Sequence, residues 1–145
     1  MTVEQSLRVM SRYNDLWSPD GLDRAHEVID ARFVRYGSSG RFEGVAAFQR
    51  YVRHYLIAFP DLRFAVDDWM WQGEKVMVRY SFTGTHRGSF MGVDATGRPV
   101  RAEGVAVYRV VDGKLLELWD YLDLFGLGRQ LGVRSQSINP ALSLK

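Results

Sequence analysis

Pro60 divides the chain into two hydrophobic periods, and this division restricts the fold more than any other feature. Before it, apolar residues recur at helical spacing. Thr2 and Gln5 fit a capping box, followed by Leu7, Met10, Tyr13 and Trp17 in a first helix that should end near Ser18 and Pro19. Asp20 can cap a short second helix with Leu22, Ala25, Val28 and Ile29 on one side. Residues 31–36 read as a short strand and residues 37–40 as a loop. Residues 44–59 then form a third helix striped by Val45, Phe48, Val52, Leu56 and Phe59. After Pro60 the period becomes two. Residues 62–71 are a strand, Gln72 and Gly73 a turn, and Val76, Val78, Tyr80 and Phe82 one face of the next strand. A glycine-rich loop over 88–97 precedes a strand over 98–111. Asp112 and Gly113 turn that strand into a last one. Residues 125–145 read as irregular. Helices followed by an antiparallel meander imply an α+β fold. The expected form is a cone-shaped, curved antiparallel sheet closed by three N-terminal helices around an internal pocket.

The 145 residues suit one domain, over 1–132, with a C-terminal tail over 133–145. Aromatic residues make up 13%, more ring surface than a small core needs, so either an aromatic-lined cavity or a sticky interface is indicated beside a plain aromatic core. The net charge is +2 and the arginines are scattered, which argues against nucleic acid or a membrane surface as partner. With 0 Cys there are no disulfides or thiolate nucleophiles. No apolar stretch is long enough to span a bilayer, and the first residues lack the pattern of a signal peptide, so a cytoplasmic location is expected.

One acid stands out. In the last strand, period two places Leu116, Leu118, Asp120 and Leu122 on one face. Leu115, Glu117, Trp119 and Tyr121 take the other. A carboxylate in an aliphatic row is costly to bury, and its pKa tends to rise, as catalytic acids and bases require. With Gly113 in a three-residue loop, Gly104 lies opposite Asp120, and Ala102 and Ala106 are its diagonal neighbours. A strict two-residue loop would put Val105 opposite and reverse the face. The small residues leave space before the acid, where a dense core would want bulk. Alternatively, Asp120 serves only to bind a backbone amide or an arginine.

The block from Glu103 to Lys114, continued through Trp119, Asp120 and Asp123 to Arg129, Gln130, Leu131 and Gly132, resembles the C-terminal half of the SnoaL-like polyketide cyclases. Residues 84–88 and the pair Thr96 and Gly97 fit the same family, and the resemblance spans roughly residues 3–132. It implies the cone-shaped α+β barrel of the nuclear-transport-factor-two-like superfamily. It also implies that Asp120 matches a catalytic aspartate that shuttles protons in an intramolecular aldol closure, with no metal or organic cofactor. Cyclases of this family carry a Gln and a His on the penultimate strand near that acid. Here those positions are Gly104 and Ala106. The fold also hosts isomerases, dehydratases and epoxide hydrolases, so fold alone does not choose the chemistry.

Further candidates surround this acid. Tyr13 and Trp17, four apart on one helix face, can line the pocket. Tyr36 (or Arg35 beside it), Tyr51, Phe90 and Leu118 are softer candidates for lining, with Gly104 and Ala106 as the floor. His86 either reaches the pocket mouth or anchors a loop. The three His show no metal-ligand spacing, so no metal is expected. Arg101 and Glu103 read as a surface ion pair. Val105, Val107, Trp119 and Tyr121 cover the outer sheet face, which suggests a homodimer through that face. The readings left open are a cyclase or related lyase or isomerase acting on an apolar cyclic or polyketide substrate, an epoxide or ester hydrolase, and a non-catalytic small-molecule-binding protein.

Overall fold

The computed structural model describes residues 1–133. The chain runs α1 (Val3–Asp15), α2 (Pro19–Leu22), a 3-10 turn (Ala25–Glu27), β1 (Ile29–Gly37), β2 (Phe42–Glu43), α3 (Val45–Ala58), β3 (Arg63–Gln72), β4 (Lys75–Thr85), β5 (Pro99–Val111), β6 (Lys114–Leu122) and α4 (Leu124–Leu131). The capping box at Thr2 and Gln5 is present. Ser18, rather than Asp20, caps the second helix, because Pro19 occupies its first turn. Leu7 is exposed, and α1 buries Ser6, Val9, Met10 and Tyr13 instead.

One curved, open sheet has the order β2-β1-β6-β5-β4-β3. The antiparallel meander holds for β3 through β6. The expectation of a wholly antiparallel sheet is corrected at one seam, because β1 runs parallel to β6. The helical half of the chain joins the sheet there, bringing Gly37 beside Asp120. The approach is so close that a Cβ on Gly37 would stand 1.8 Å from the Asp120 carbonyl oxygen, so only glycine fits. The inner face of the sheet carries Phe33 and Arg35 from β1, Tyr80 and Phe82 from β4, Ala106 and Tyr108 from β5, and Leu118 and Asp120 from β6, all buried. Helices α1 and α3 cover it with Met10, Tyr13, Phe48, Val52 and Tyr55. No helix among the described residues is long and apolar enough to cross a membrane.

The β5–β6 hairpin decides where Asp120 points. Val111 pairs with Lys114 and Val110 with Leu115, so the loop is the two residues Asp112 and Gly113, at φ 52° and 76°. This is the primed turn that suits the twist of paired strands. The ladder then slips by one residue. Arg109 faces Glu117, and Leu116 is left over as a β-bulge. Beyond the bulge, Ala106 lies opposite Asp120 and Gly104 opposite Leu122. Both registers considered from sequence are thereby corrected. The face is the expected one, but Ala106 rather than Gly104 is the partner. The bulge also replaces Leu116 by the fully buried Leu115 in the inward row.

The segment expected to be irregular from residue 125 begins with α4. Asp123 caps it by accepting from the Gly126 amide at 2.8 Å, and Leu127 and Leu131 are buried. Gly126 and Gly128 weaken its helical signal in the sequence. The expected tail over 133–145 lies outside the described residues, apart from Val133. Because Gly113 sits in the left-handed region, Gly113→Val should cost about 1–2 kcal/mol, read as a lower urea midpoint at unchanged slope.

Candidate functional site

Asp120 sits at the inner wall of the sheet with 7% of its surface exposed. Its Oδ1 accepts a hydrogen bond from the Tyr80 hydroxyl at 2.6 Å. Its Oδ2 lies 3.6 Å from Nη2 of Arg35. Arg35 is fully buried. Its Nη2 donates to the Tyr51 hydroxyl at 2.9 Å and to the Asp120 carbonyl at 3.5 Å, and its Nη1 donates to the Gly40 carbonyl at 3.2 Å. The Tyr51 and Phe42 rings pack against the guanidinium with centroids at 4.6 and 5.7 Å. Burial raises the Asp120 carboxyl above the ordinary 3.8, while the Tyr80 hydrogen bond and the Arg35 charge pull it back down. Burial, followed by the Asp120 charge, pushes the Tyr80 and Tyr13 hydroxyls far up. Both phenols therefore stay protonated.

In front of Asp120 lies a cavity of about 40 Å³. Met10, Tyr13, Asn14 and Trp17 wall it from α1 and the turn after it, and Phe64 and Val66 from β3. Val78, Tyr80, Ala106, Tyr108 and Asp120 form its floor. Among the described residues, Asp120 is the single carboxylate in that wall. The Trp17 Nε1–H is buried near the Tyr13 hydroxyl but, among the described residues, completes no hydrogen bond of normal geometry. A groove of about 250 Å³ lies outside and shares Asn14, Trp17 and Phe64 with the cavity. The Trp17 and Phe64 rings meet edge-on at 4.8 Å between the two spaces. A larger groove of about 370 Å³ between α1 and the β5–β6 turn does not include Asp120.

The sequence candidates divide between this cavity and other places. Tyr13, Trp17 and Ala106 line it with Asp120. Tyr51 stands behind Arg35. Gly104 lies beneath the Tyr80 ring. Leu118 is packed in the core opposite Tyr108. Tyr36 is on the outer face, stacked on Trp119 at 5.6 Å, so Arg35 is the inward member of that pair. Phe90 is buried against Phe59, Tyr55 and His54, away from the cavity wall. The fully buried His86 joins the two ends of the glycine-rich loop. Its amide donates to the Arg98 carbonyl at 2.9 Å, and its Nδ1 accepts from the Thr96 amide at 3.2 Å. Arg101 and Glu103 form an exposed ion pair at 3.0 Å on the outer face. The sequence reading passed over Tyr80, Met10, Phe64 and Tyr108. Tyr80 could have been found by laying the β4 row beside β5, where it pairs with Gly104.

The family model of the SnoaL-like polyketide cyclases matches residues 7–131. The aklanonic acid methyl ester cyclase DnrD of Streptomyces peucetius is 38% identical over 134 residues, covering 90% of this chain and 92% of that protein. Among solved structures, AclR of Streptomyces galilaeus, a candidate hydroxylase, superposes with a TM-score of 0.80 at 30% identity, covering 91% of this chain and 98% of that one. TsrD of Streptomyces laurentii shares the fold, with a TM-score of 0.83 at 22% identity over 92% of this chain and 99% of that one. The chain belongs to the SnoaL-like polyketide cyclase family.

Arg35→Met should destabilise the protein by about 3–5 kcal/mol near neutral pH, because it strands a buried carboxylate. The Asp120 pKa is raised in the folded chain, so protonation favours folding. The carboxylate's cost is absent below 3.8 and complete above the raised folded value. The gap between Arg35→Met and wild type should therefore narrow as pH falls, as urea unfolding at several pH values would show.

Proposed function

We propose that this protein is a cofactor-independent cyclase in which Asp120 acts as general base and then general acid on an apolar polyketide ester. The observation that carries this reading is the placement of one carboxylate, raised by burial, in the wall of a cavity whose other lining is aromatic and aliphatic apart from Asn14. Ionised Asp120 takes a proton from a carbon beside a carbonyl. The resulting enolate attacks a ketone of the same molecule, forming one C–C bond, and the alkoxide takes the proton back from Asp120. The sequence is redox-neutral and its atoms balance. Trp17 Nε1–H, a buried donor at the cavity wall, supplies a hydrogen bond to a substrate oxygen.

The cavity of about 40 Å³ holds about two or three waters, far less than the few hundred Å³ of a ligand pocket. Substrate entry therefore requires the Trp17 and Phe64 rings to part and join the cavity to the outer groove. Aklanonic acid methyl ester, the substrate named for DnrD, is the first compound to try. Asp120→Asn should lower kcat by at least about 100-fold. Unchanged turnover would remove this mechanism. Trp17→Phe should act mainly on KM. An epoxide or ester hydrolase is a second reading, favoured by the polar neighbour Tyr80 beside the acid. Incorporation of labelled water oxygen into product would select it.

The outer sheet face exposes Met70, Met77, Val105 and Tyr121, four large apolar side chains. It is the surface through which a homodimer forms in this proposal. Gel filtration at micromolar concentration should give a dimer, and Val105→Glu with Tyr121→Glu should give a monomer. A monomeric wild type would count against it.

A further inference from the structure

Tyr80 stands on β4 and Asp120 on β6, with β5 between them. A side chain on β4 ordinarily meets its neighbours on β5, not those one strand further on. Tyr80 crosses that distance, and its hydroxyl reaches Asp120 Oδ1 at 2.6 Å. The crossing is possible because its cross-strand partner is Gly104. A Cβ at position 104 would stand 2.5 Å from both the Cζ and the hydroxyl oxygen of Tyr80, and 2.9 Å from Cε1. No real side chain tolerates that approach, so any other residue at 104 displaces the ring. The backbone itself does not ask for glycine there, since Gly104 is not among the glycines at positive φ. A glycine in mid-strand weakens the strand and often marks a close approach by another group. Here that group is the Tyr80 ring.

We infer that Tyr80 is the positioning residue of Asp120, seated over β5 in a slot that only a glycine at position 104 leaves open. Tyr80 is itself in the cavity wall, so the same contact fixes the carboxylate and shapes the surface before it. Oδ1 is held by the phenol and Oδ2 is turned toward Arg35. The carboxylate plane is thus fixed from two sides, by strands β4 and β1. The sequence reading found an acid whose strand partners at Gly104 and Ala106 are too small to assist it. The assistance comes instead from one strand further away, through the space those residues leave.

The inference rests on the role of Asp120 proposed above, but the positioning is a property of the free protein and is tested there. The groups that face Asp120 are Tyr13 from α1, Arg35 from β1, Tyr51 and Tyr55 from α3, Tyr80 from β4 and Tyr108 from β5. Burial holds the Tyr13, Tyr51, Tyr55 and Tyr108 hydroxyls above their ordinary range, so they stay neutral while the carboxyl titrates. Arg35 and the Tyr80 hydroxyl favour its ionised form.

The full chain, labelled with carbon-13 at aspartate carboxyls, is titrated by NMR, and the Asp120 signal is assigned by its loss in Asp120→Asn. Tyr80→Phe should move the Asp120 midpoint upward by about one to two pH units. Gly104→Ala should move it the same way, because the new methyl group pushes the phenol off the carboxylate. A residue that served only packing would change the melting temperature and leave this midpoint in place. An unmoved midpoint in Tyr80→Phe overturns the assignment. An unmoved midpoint in folded Gly104→Ala overturns the slot. Tyr80→Phe removes one oxygen atom and carries the test alone where Gly104→Ala does not fold. The titration is independent of turnover, so its failure is distinguishable from failure of the cyclase reading, which Asp120→Asn decides on substrate.

Discussion

A guanidinium buried among aromatic rings is the constraint on which the inner face depends. Arg35 has no access to water, and its charge is met by the Asp120 carboxylate, the Tyr51 hydroxyl, two backbone carbonyls and two ring faces. Neither charge would be tolerable alone at this depth. Their attraction is strengthened because the helices and the aromatic wall leave room for only a few waters before the acid. The arrangement also explains why β1 lies against β6. The parallel pairing carries Arg35 to the acid and fits Gly37 onto its carbonyl.

The same burial that makes the acid expensive makes it chemically versatile. A carboxyl whose pKa is raised by desolvation and restrained by a hydrogen bond and a nearby cation can change protonation state at less extreme pH than an exposed one. The strands around it contribute few reactive groups of their own. Ala106, Val78 and Tyr108 supply shape, while Tyr13 and Trp17 supply hydrogen-bond donors from the helical layer. The division of labour is therefore between a sheet that holds the charge and a helical layer that faces the cavity.

Much of this was legible in the residues. The break in period at Pro60, the helix caps and the alternating strands carry the α+β order, because each is a local rule. Asp120 stood out because a charge in an aliphatic row is costly wherever the row is buried. What escaped was non-local. The parallel seam between β1 and β6 leaves no mark in either strand alone. The bulge at Leu116 is one apolar residue among several, and nothing in its neighbours signals that it will drop out of the ladder. Tyr80 looked like an ordinary core aromatic, because its role depends on a glycine 24 positions away in sequence and opposite it in the sheet. Tyr36 and Arg35 were adjacent candidates, and only the facing of β1 separates them.

The hairpin between β5 and β6 has a consequence for how the acid is aimed. Two residues of loop plus one residue of bulge give an odd total, and the odd total turns Asp120 inward. Sliding one strand past the other by one residue, with the bulge retained, would rotate the acid to the solvent side and bring Trp119 and Tyr121 to the interior. A residue added within the turn has no such effect, because a longer loop absorbs it and Ala106 stays opposite Asp120. The bulge and the tight turn thus act together as an index mark that fixes which way the acid is aimed.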